Sequence, residues 1–377
     1  MRRLLCFIAL TACSSSPAPT SCPSGVLVVT SDEKSASEVG VLPLDGSPAQ
    51  LNKGSELGGD PALSVTTSGQ AFFIARRTNT IFALDGCGRG TAQYSALAQG
   101  ESDADPYDVD VAADGSLWIA RFFAPSLLVL DKTGAQVGTI DLSSLDADGN
   151  PNQDAVRVLP TSSGEKAFVA LGLLGPAAQQ YPSIQPAQMA IIDTKTRAIE
   201  SVVTLAGRNP FGRMLEYGGS LWLTDMGNRD DDHEADAGIE VFSPETHTSH
   251  LLLSEVALGG TLTFSGIALK NGCGAAIVYD QSAINHTSLV AFGDAGNVVQ
   301  APAFGPTAGF DLWGVEWAAN TQDGQTDDLL LVGDRSIPTD GSGFKVHTFT
   351  HDASCRLTAG ADLSLPMAPV AFASPKN

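Results

Sequence analysis

An all-β, seven-bladed β-propeller is the fold this sequence predicts, and three observations predict it. Short apolar runs alternate with Gly, Pro and Asp-Gly punctuation too densely for helices of ten residues to fit between them. One unit, legible at residues 105–134 as DPYDVDVAADGSLWIARFFAPSLLVLDKTG, returns along almost the whole chain of 377 residues. The strands left over at the two ends complete one another, which closes a ring.

The founding unit reads as strands joined by turns. An opening Asp105-Pro106 leads into alternation at Val109 and Val111, and Asp114-Gly115 supplies a turn. The apolar runs 117–120 and 127–130 follow, closed by Asp131-Lys132-Thr133-Gly134. Labelling the strands of a blade A to D from the axis outward, this is blade three, with its D strand at 135–142. Blade two runs from Asp60-Pro61 through a B strand at 71–75 and a C strand at 80–85. Blade four takes 153–159, 166–171, 188–193 and 198–205; blade five takes 210–217, 220–224, 238–242 and 249–256. Blade six takes 264–269, 275–279, 288–292 and 297–301; blade seven takes 312–318, 329–332, 345–350 and 356–363. Residues 26–30, 38–44 and 49–51 supply B, C and D strands without an A strand, and 369–373 supplies an A strand with nothing after it. Together they make the seventh blade. A ring exposes only short, protected sheet edges, so closure removes the aggregation hazard of an open array. Phe73 and Trp118 lie about 45 residues apart and Asp225 and Asp280 about 55, close to the repeat length of a propeller blade plus loop insertions.

The N-terminus and the charge address where such a ring would work. Arg2-Arg3 forms a basic n-region, and residues 4–10 are an apolar stretch too short to span a bilayer. Leu10-Thr11-Ala12-Cys13 resembles the lipobox of bacterial lipoproteins. That resemblance implies removal of 1–12, lipidation of Cys13 by several acyl chains such as palmitate, and a membrane contact made through that anchor. An ordinary secretory signal is the alternative. Ser14 after the cysteine resembles lipoproteins passed to the outer membrane of the cell envelope. Residues 13–24 then read as a polar tether, and 25–374 as the propeller. The formal net charge is −21, and it becomes more negative still once Arg2 and Arg3 are removed. Such a surface repels phosphate backbones and anionic headgroups, so nucleic acid is not an expected partner.

The unit DPYDVDVAADGSLWIAR resembles the NHL and YVTN-type repeats of bacterial β-propellers, over most of residues 26–373. The likeness implies a fold and no single activity, because propellers include enzymes, binding modules and scaffolds.

Apart from Cys6 and Cys13, four cysteines remain, an even number suited to an oxidising compartment. Their spacing matches no zinc motif, and three pairings are possible on paper. On the ring, Cys22 precedes a B strand of blade one and Cys87 ends a C strand of blade two. Cys273 ends an A strand of blade six, and Cys355 ends a C strand of blade seven. Both pairs join the A–B turn of one blade to the C–D turn of the next, so the expected disulfides are Cys22–Cys87 and Cys273–Cys355.

The opposite face carries the D–A connections and the B–C loops, with insertions at 143–152, 172–187, 226–237 and 336–343; such loops on a rigid scaffold are where binding resides. The residue ending the B strand is Arg76 and Arg121 in blades two and three but Asp225, Asp280 and Asp334 in blades five to seven. A rim positive on one arc and negative on the other would suit a small charged ligand or a complementary protein partner. An Asp in that place also commonly accepts backbone N–H bonds from the following turn. The loop 226–237 gathers Asp230, Asp231, Asp232, Glu234 and Asp236 with His233, where Ca²⁺ would relieve repulsion, although an exposed loop can stay solvated. Asp146, Asp148, Asn150 and Asp154 alternate like a calcium loop, but Pro151 and Arg157 stand where that motif wants Gly and Glu.

Asp60, Asp105, Asn209 and Asp311 open A strands at the channel mouth. Propeller lactonases of the gluconolactonase type hold a divalent cation in such a place, so a metal-dependent hydrolase is the alternative to a non-catalytic binding module. Streptogramin lyases rely on a histidine near the channel, whereas all six histidines here fall in loops or outer strands. No catalytic residue is assigned. Asp110, Arg157 and Glu316 fall within A strands, where burial demands partners, and Asp110 is expected to face Arg157.

Overall fold

A computed structural model of the chain describes residues 22–54, 57–176, 179, 181–228, 233–280, 286–319, 328–338 and 341–374. The signal, Cys13 and most of the tether lie outside these residues, as do Asp230, Asp231 and Asp232. Parts of the insertions at 172–187 and 336–343 lie outside them too.

Seven antiparallel sheets follow one another around an axis. In the founding blade the strands are Pro106–Val111, Leu117–Arg121, Ser126–Leu130 and Gln136–Asp141. Its turns are local chemistry. Gly115 sits at φ +83° and Gly134 at φ +84°, conformations glycine adopts without a Cβ penalty. The Asp131 carboxylate accepts the amides of Thr133 and Ala135. The B strands are buried on both faces because each blade is sandwiched between neighbours. Phe72, Phe73 and Ile74 are sealed, and Trp118 packs with Val129 and Ile140 against Val156, Val169 and Ile192 of the next blade. Each such side chain contributes roughly 1.5–3 kcal/mol of transfer free energy.

The ring closes as the sequence predicts. Val26–Ser31 pairs antiparallel with Pro369–Ala373, Leu27 opposite Ala373 and Val28 opposite Phe372. Both expected disulfides are present, with Cα separations of 5.3 Å for Cys22–Cys87 and 5.2 Å for Cys273–Cys355.

Three elements depart from expectation. The A strand of blade five is only Leu215–Tyr217, with a single bridge between Pro210 and Asp225. Between them Gly212 turns to φ +93°, and a Cβ there would stand 3.2 Å from the Phe264 carbonyl oxygen. The D strand of that blade stops at Ser254, whose Oγ accepts from the Ala257 amide and starts a one-turn helix, Glu255–Leu258, ended by Gly259 at φ +77°. The outermost strand of blade seven is split into Leu357–Ala359 and Leu363–Leu365, both paired with Phe344–His351.

Candidate functional site

The A strands are entered through a backbone device. Asp60, Asp105, Asn152 and Asn209 have φ of +58°, +48°, +51° and +55°, the left-handed region that Asp and Asn tolerate better than other side chains. The side-chain oxygen Oδ1 of Asn152 accepts the Leu174 amide, and the Asn209 side chain donates to the Gly227 carbonyl. These residues turn the chain inward from outer strand or loop to axis, and a side chain two positions further on then reaches the channel mouth. That position is Tyr107 after Asp105, Asp154 after Asn152 and Phe211 after Asn209; Trp313 stands at the same spacing after Asp311, which does not take the left-handed conformation.

The rings make a belt. Tyr107 stacks on Phe122 at 5.0 Å and meets Phe211 edge-on at 5.3 Å. Phe211 continues to Phe264 at 4.7 Å, and Phe264 to Trp313 at 5.6 Å. Tyr181, from the B–C loop of blade four, touches Phe122 at 5.6 Å. These residues line a cavity of about 980 Å³ that opens on the face of the D–A and B–C loops. Phe123, Ile184 and Ile337 are exposed on that same face.

The remaining wall, in blades two and three, is charged. Arg76 lies between two carboxylates, 3.1 Å from Asp60 and 3.0 Å from Asp105, with its guanidinium 3.8 Å from the centre of the Tyr107 ring. Burial opposes its charge, but these neighbours outweigh that and hold it more firmly protonated than usual. Burial also raises the Asp105 carboxyl, against the pull of Arg76. On the far side Arg335 lies 4.1 Å from the Trp313 ring centre, and burial pushes it down to about 10.

Deeper in the channel, carboxylates accept amides on the inner edges of A strands, which have no sheet partner. Asp108 accepts from Val156 N–H and the Ser64 hydroxyl, and Asp110 accepts from Val158 N–H. The expected pairing of Asp110 with Arg157 is corrected: Arg157 donates to Asp108 at 2.6 Å. Asp108 and Asp110 are two apart on one strand and address the same neighbouring edge, and the guanidinium falls at the level of the first. Burial raises Asp110 to about 6 despite Arg157 and two backbone amides. Glu316 is paired across the channel with Arg213 at 2.7 Å.

Asp154 differs from its surroundings. It is 2% exposed, and neither carboxyl oxygen completes a hydrogen bond. Burial and the charge of Asp108 hold it well above the usual carboxylate range, only partly countered by Arg76 and the Gly212 amide.

The residues singled out from the sequence fall in several places. Of the proposed rim, only Arg76 lines the cavity. Arg121 is sealed, donating to the Ser126 and Ala96 carbonyls and paired with Glu101. Asp225 is sealed beside Glu240, and burial followed by that neighbouring carboxylate raises it well above the usual range. Asp334 binds His347 at 3.2 Å. Asp280 ends its strand next to residues outside the description. Of the channel-mouth set, Asp60 and Asp105 share Arg76, Asn209 bonds Gly227, and Asp311 accepts the Gly309 amide. Among the described residues no three His, Cys, Asp or Glu side chains are placed to hold a metal ion, and no histidine lines the cavity. The aromatic belt escaped the sequence reading. Its signal was the ring two residues after an A-strand Asp or Asn, repeated at Tyr107, Phe211 and Trp313.

No family model matches the sequence, and no curated protein matches it. Solved structures resemble it in fold. The β-propeller domain of Cps50 (Swd1) from Myceliophteria thermophila is 15% identical, with a TM-score of 0.54 over 84% of this chain and 96% of that one. A protein from Lactobacillus plantarum is 14% identical, with a TM-score of 0.53 over 92% and 98%. A catalytically inactive virginiamycin B lyase from Staphylococcus aureus with quinupristin is 11% identical, with a TM-score of 0.50 over 90% and 95%. At these identities the likeness shows the propeller fold and nothing of activity.

Proposed function

We propose that this chain is an exported, lipid-anchored propeller of the outer membrane, similar to NHL and YVTN-type repeats, that binds a ligand or partner group in the aromatic bowl without transforming it. One observation carries the reading: a concave cavity of about 980 Å³ with a continuous belt of rings on one side and a charged wall on the other, apolar contact area beside orienting polar groups, as binding sites have. The carboxylates at its mouth are engaged by Arg76 and by backbone amides, which supports binding over metal-assisted hydrolysis.

The disulfides support export, and the place of Cys22 supports one orientation of an anchored molecule. Cys87 lies in the C–D turn of blade two, on the face opposite the bowl. The tether from Cys13 therefore reaches Cys22 at that opposite face, and nine residues span at most about 30 Å. The bowl then faces away from the bilayer. Cys13→Ser is expected to move the protein from the membrane to the soluble fraction; unchanged membrane association would refute the anchor.

The binding reading is tested by thermal shift and tryptophan fluorescence with a panel of aromatic and aliphatic small molecules. Wild-type protein is expected to respond, and Phe211→Ala to lose about tenfold in affinity by removing a ring that bridges Tyr107 and Phe264. The lactonase-like alternative has its own arm: Ca²⁺ is expected to leave the melting temperature unchanged. Stabilisation by Ca²⁺ that Asp105→Asn abolishes, together with lactone hydrolysis, would replace binding by catalysis.

A further inference from the structure

Resting on the bowl as a binding site, the structure carries one more step: we propose that its ligand is an organic cation, an ammonium group on an apolar body, which displaces the Asp154 proton to solvent and takes the carboxylate as counter-ion and the belt of rings as its cage. Three independent features converge on this class.

The first is an unmatched carboxyl. Asp154 lines the cavity, is nearly sealed from solvent, and completes no hydrogen bond at either oxygen, the Gly212 amide and the Arg76 charge only partly offsetting its burial. A buried polar group left unpaired is costly, and the other carboxylates nearby are satisfied: Asp60 and Asp105 by Arg76, and Asp108 by Arg157 and Ser64. Asp154 also occupies the register position that blades three, five and seven fill with Tyr107, Phe211 and Trp313. One acid is thus set into a row of rings.

The second is the character of those rings. Aromatic faces carry negative quadrupole potential and attract cations within about 6 Å of the centroid. The protein already uses this at the edges of the bowl, where Arg76 lies over Tyr107 and Arg335 over Trp313. Between those two arginines, Phe211 and Phe264 carry no cation of the protein's own among the described residues.

The third is the sign of the surroundings. Six acidic side chains line the cavity against three arginines. Arg76 is held by Asp60 and Asp105, Arg213 by Glu316, and Arg77 donates to the Lys34 carbonyl. Of the three, only Arg77, exposed at the edge, has no carboxylate partner, so acids outweigh unpaired arginines in the lining, and the chain's net charge of −21 draws cations toward it.

The test uses three aromatic probes of similar size: benzyltrimethylammonium, benzyl alcohol and benzenesulfonate. Each is titrated into the intact protein and followed by fluorescence, with Trp313→Phe identifying the reporter. The cation is expected to bind about tenfold tighter than the alcohol, and the sulfonate more weakly than either. Asp154→Asn, which keeps the shape of the side chain, is expected to remove most of that preference while leaving benzyl alcohol binding unchanged. Phe211→Leu keeps the carboxyl and is expected to weaken the cation more than the alcohol, which keeps the test decisive should Asp154→Asn fail to fold. Equal binding of all three probes, preference for the sulfonate, or a cation preference that survives Asp154→Asn would overturn the cation assignment and leave the bowl as a binding site. No binding of any probe would overturn both.

Discussion

Asp225 shows how one residue type at one repeat position can serve opposite ends. The repeat places it level with Arg76, yet it is sealed against Glu240, whose two oxygens take the amides of Ala206 and Gly207. Gly207 is required by the contact, since a Cβ there would lie 2.1 Å from an Asp225 oxygen. The folded state therefore keeps a proton on Asp225 that the unfolded chain releases above the ordinary carboxylate pKa of about 4. With the folded pKa raised, stability falls as pH rises from that value toward the folded one. Asp225→Asn removes the ionisation, so the variant is expected to gain on the wild type as pH rises. Melting curves at about pH 5 and about pH 8 check this; a difference in melting temperature that shrinks or stays constant would refute it. The site followed the same logic. Tyr107, Phe211 and Trp313 were visible as letters, but a ring two residues into a strand reads as ordinary core until its neighbours around the axis are known.

At the scale of the element, the A strands depend on their first residue. Asn209 adopts φ +55° and its side chain donates to the Gly227 carbonyl. Asn209→Gly keeps the conformation and loses only that bond, so about 1 kcal/mol is expected. Asn209→Val forces a β-branched side chain into the left-handed region and should destabilise by roughly 2–3 kcal/mol. Urea denaturation of the two variants separates them, and equal losses would show that the backbone conformation is not what selects Asn here. Turn chemistry of this kind acts within a few residues, which is why strands such as Leu117–Arg121 and Ser126–Leu130 were legible from Asp-Gly and Thr-Gly punctuation. The short strand Leu215–Tyr217 was not, because Gly212 yields to the approach of the Phe264 backbone, a neighbour about fifty residues away in sequence.

For the whole molecule, closure is the feature on which the bowl depends. Pro369–Ala373 completes the first blade, and Val370 and Phe372 themselves line the cavity. Truncation before Pro369 would leave the inner edge of Val26–Ser31 open. The expected result is association in size-exclusion chromatography and a lowered melting temperature with both disulfides still formed. A monomer of unchanged stability would refute closure as a structural requirement.

By itself the sequence determined the number of blades, the joining of the two ends and the choice of cysteine partners. Each follows from a period and from turn chemistry that recur along the chain at short range. Only the tertiary structure decided what meets at the axis. Seven strands converging there bring side chains from distant repeats within van der Waals contact. Whether a given Asp faces an arginine, a backbone amide or nothing depends on that convergence. So Asp60 and Asp105 share Arg76, Asp108 takes the Arg157 that Asp110 was expected to have, and Asp154 is left among rings with no completed hydrogen bond.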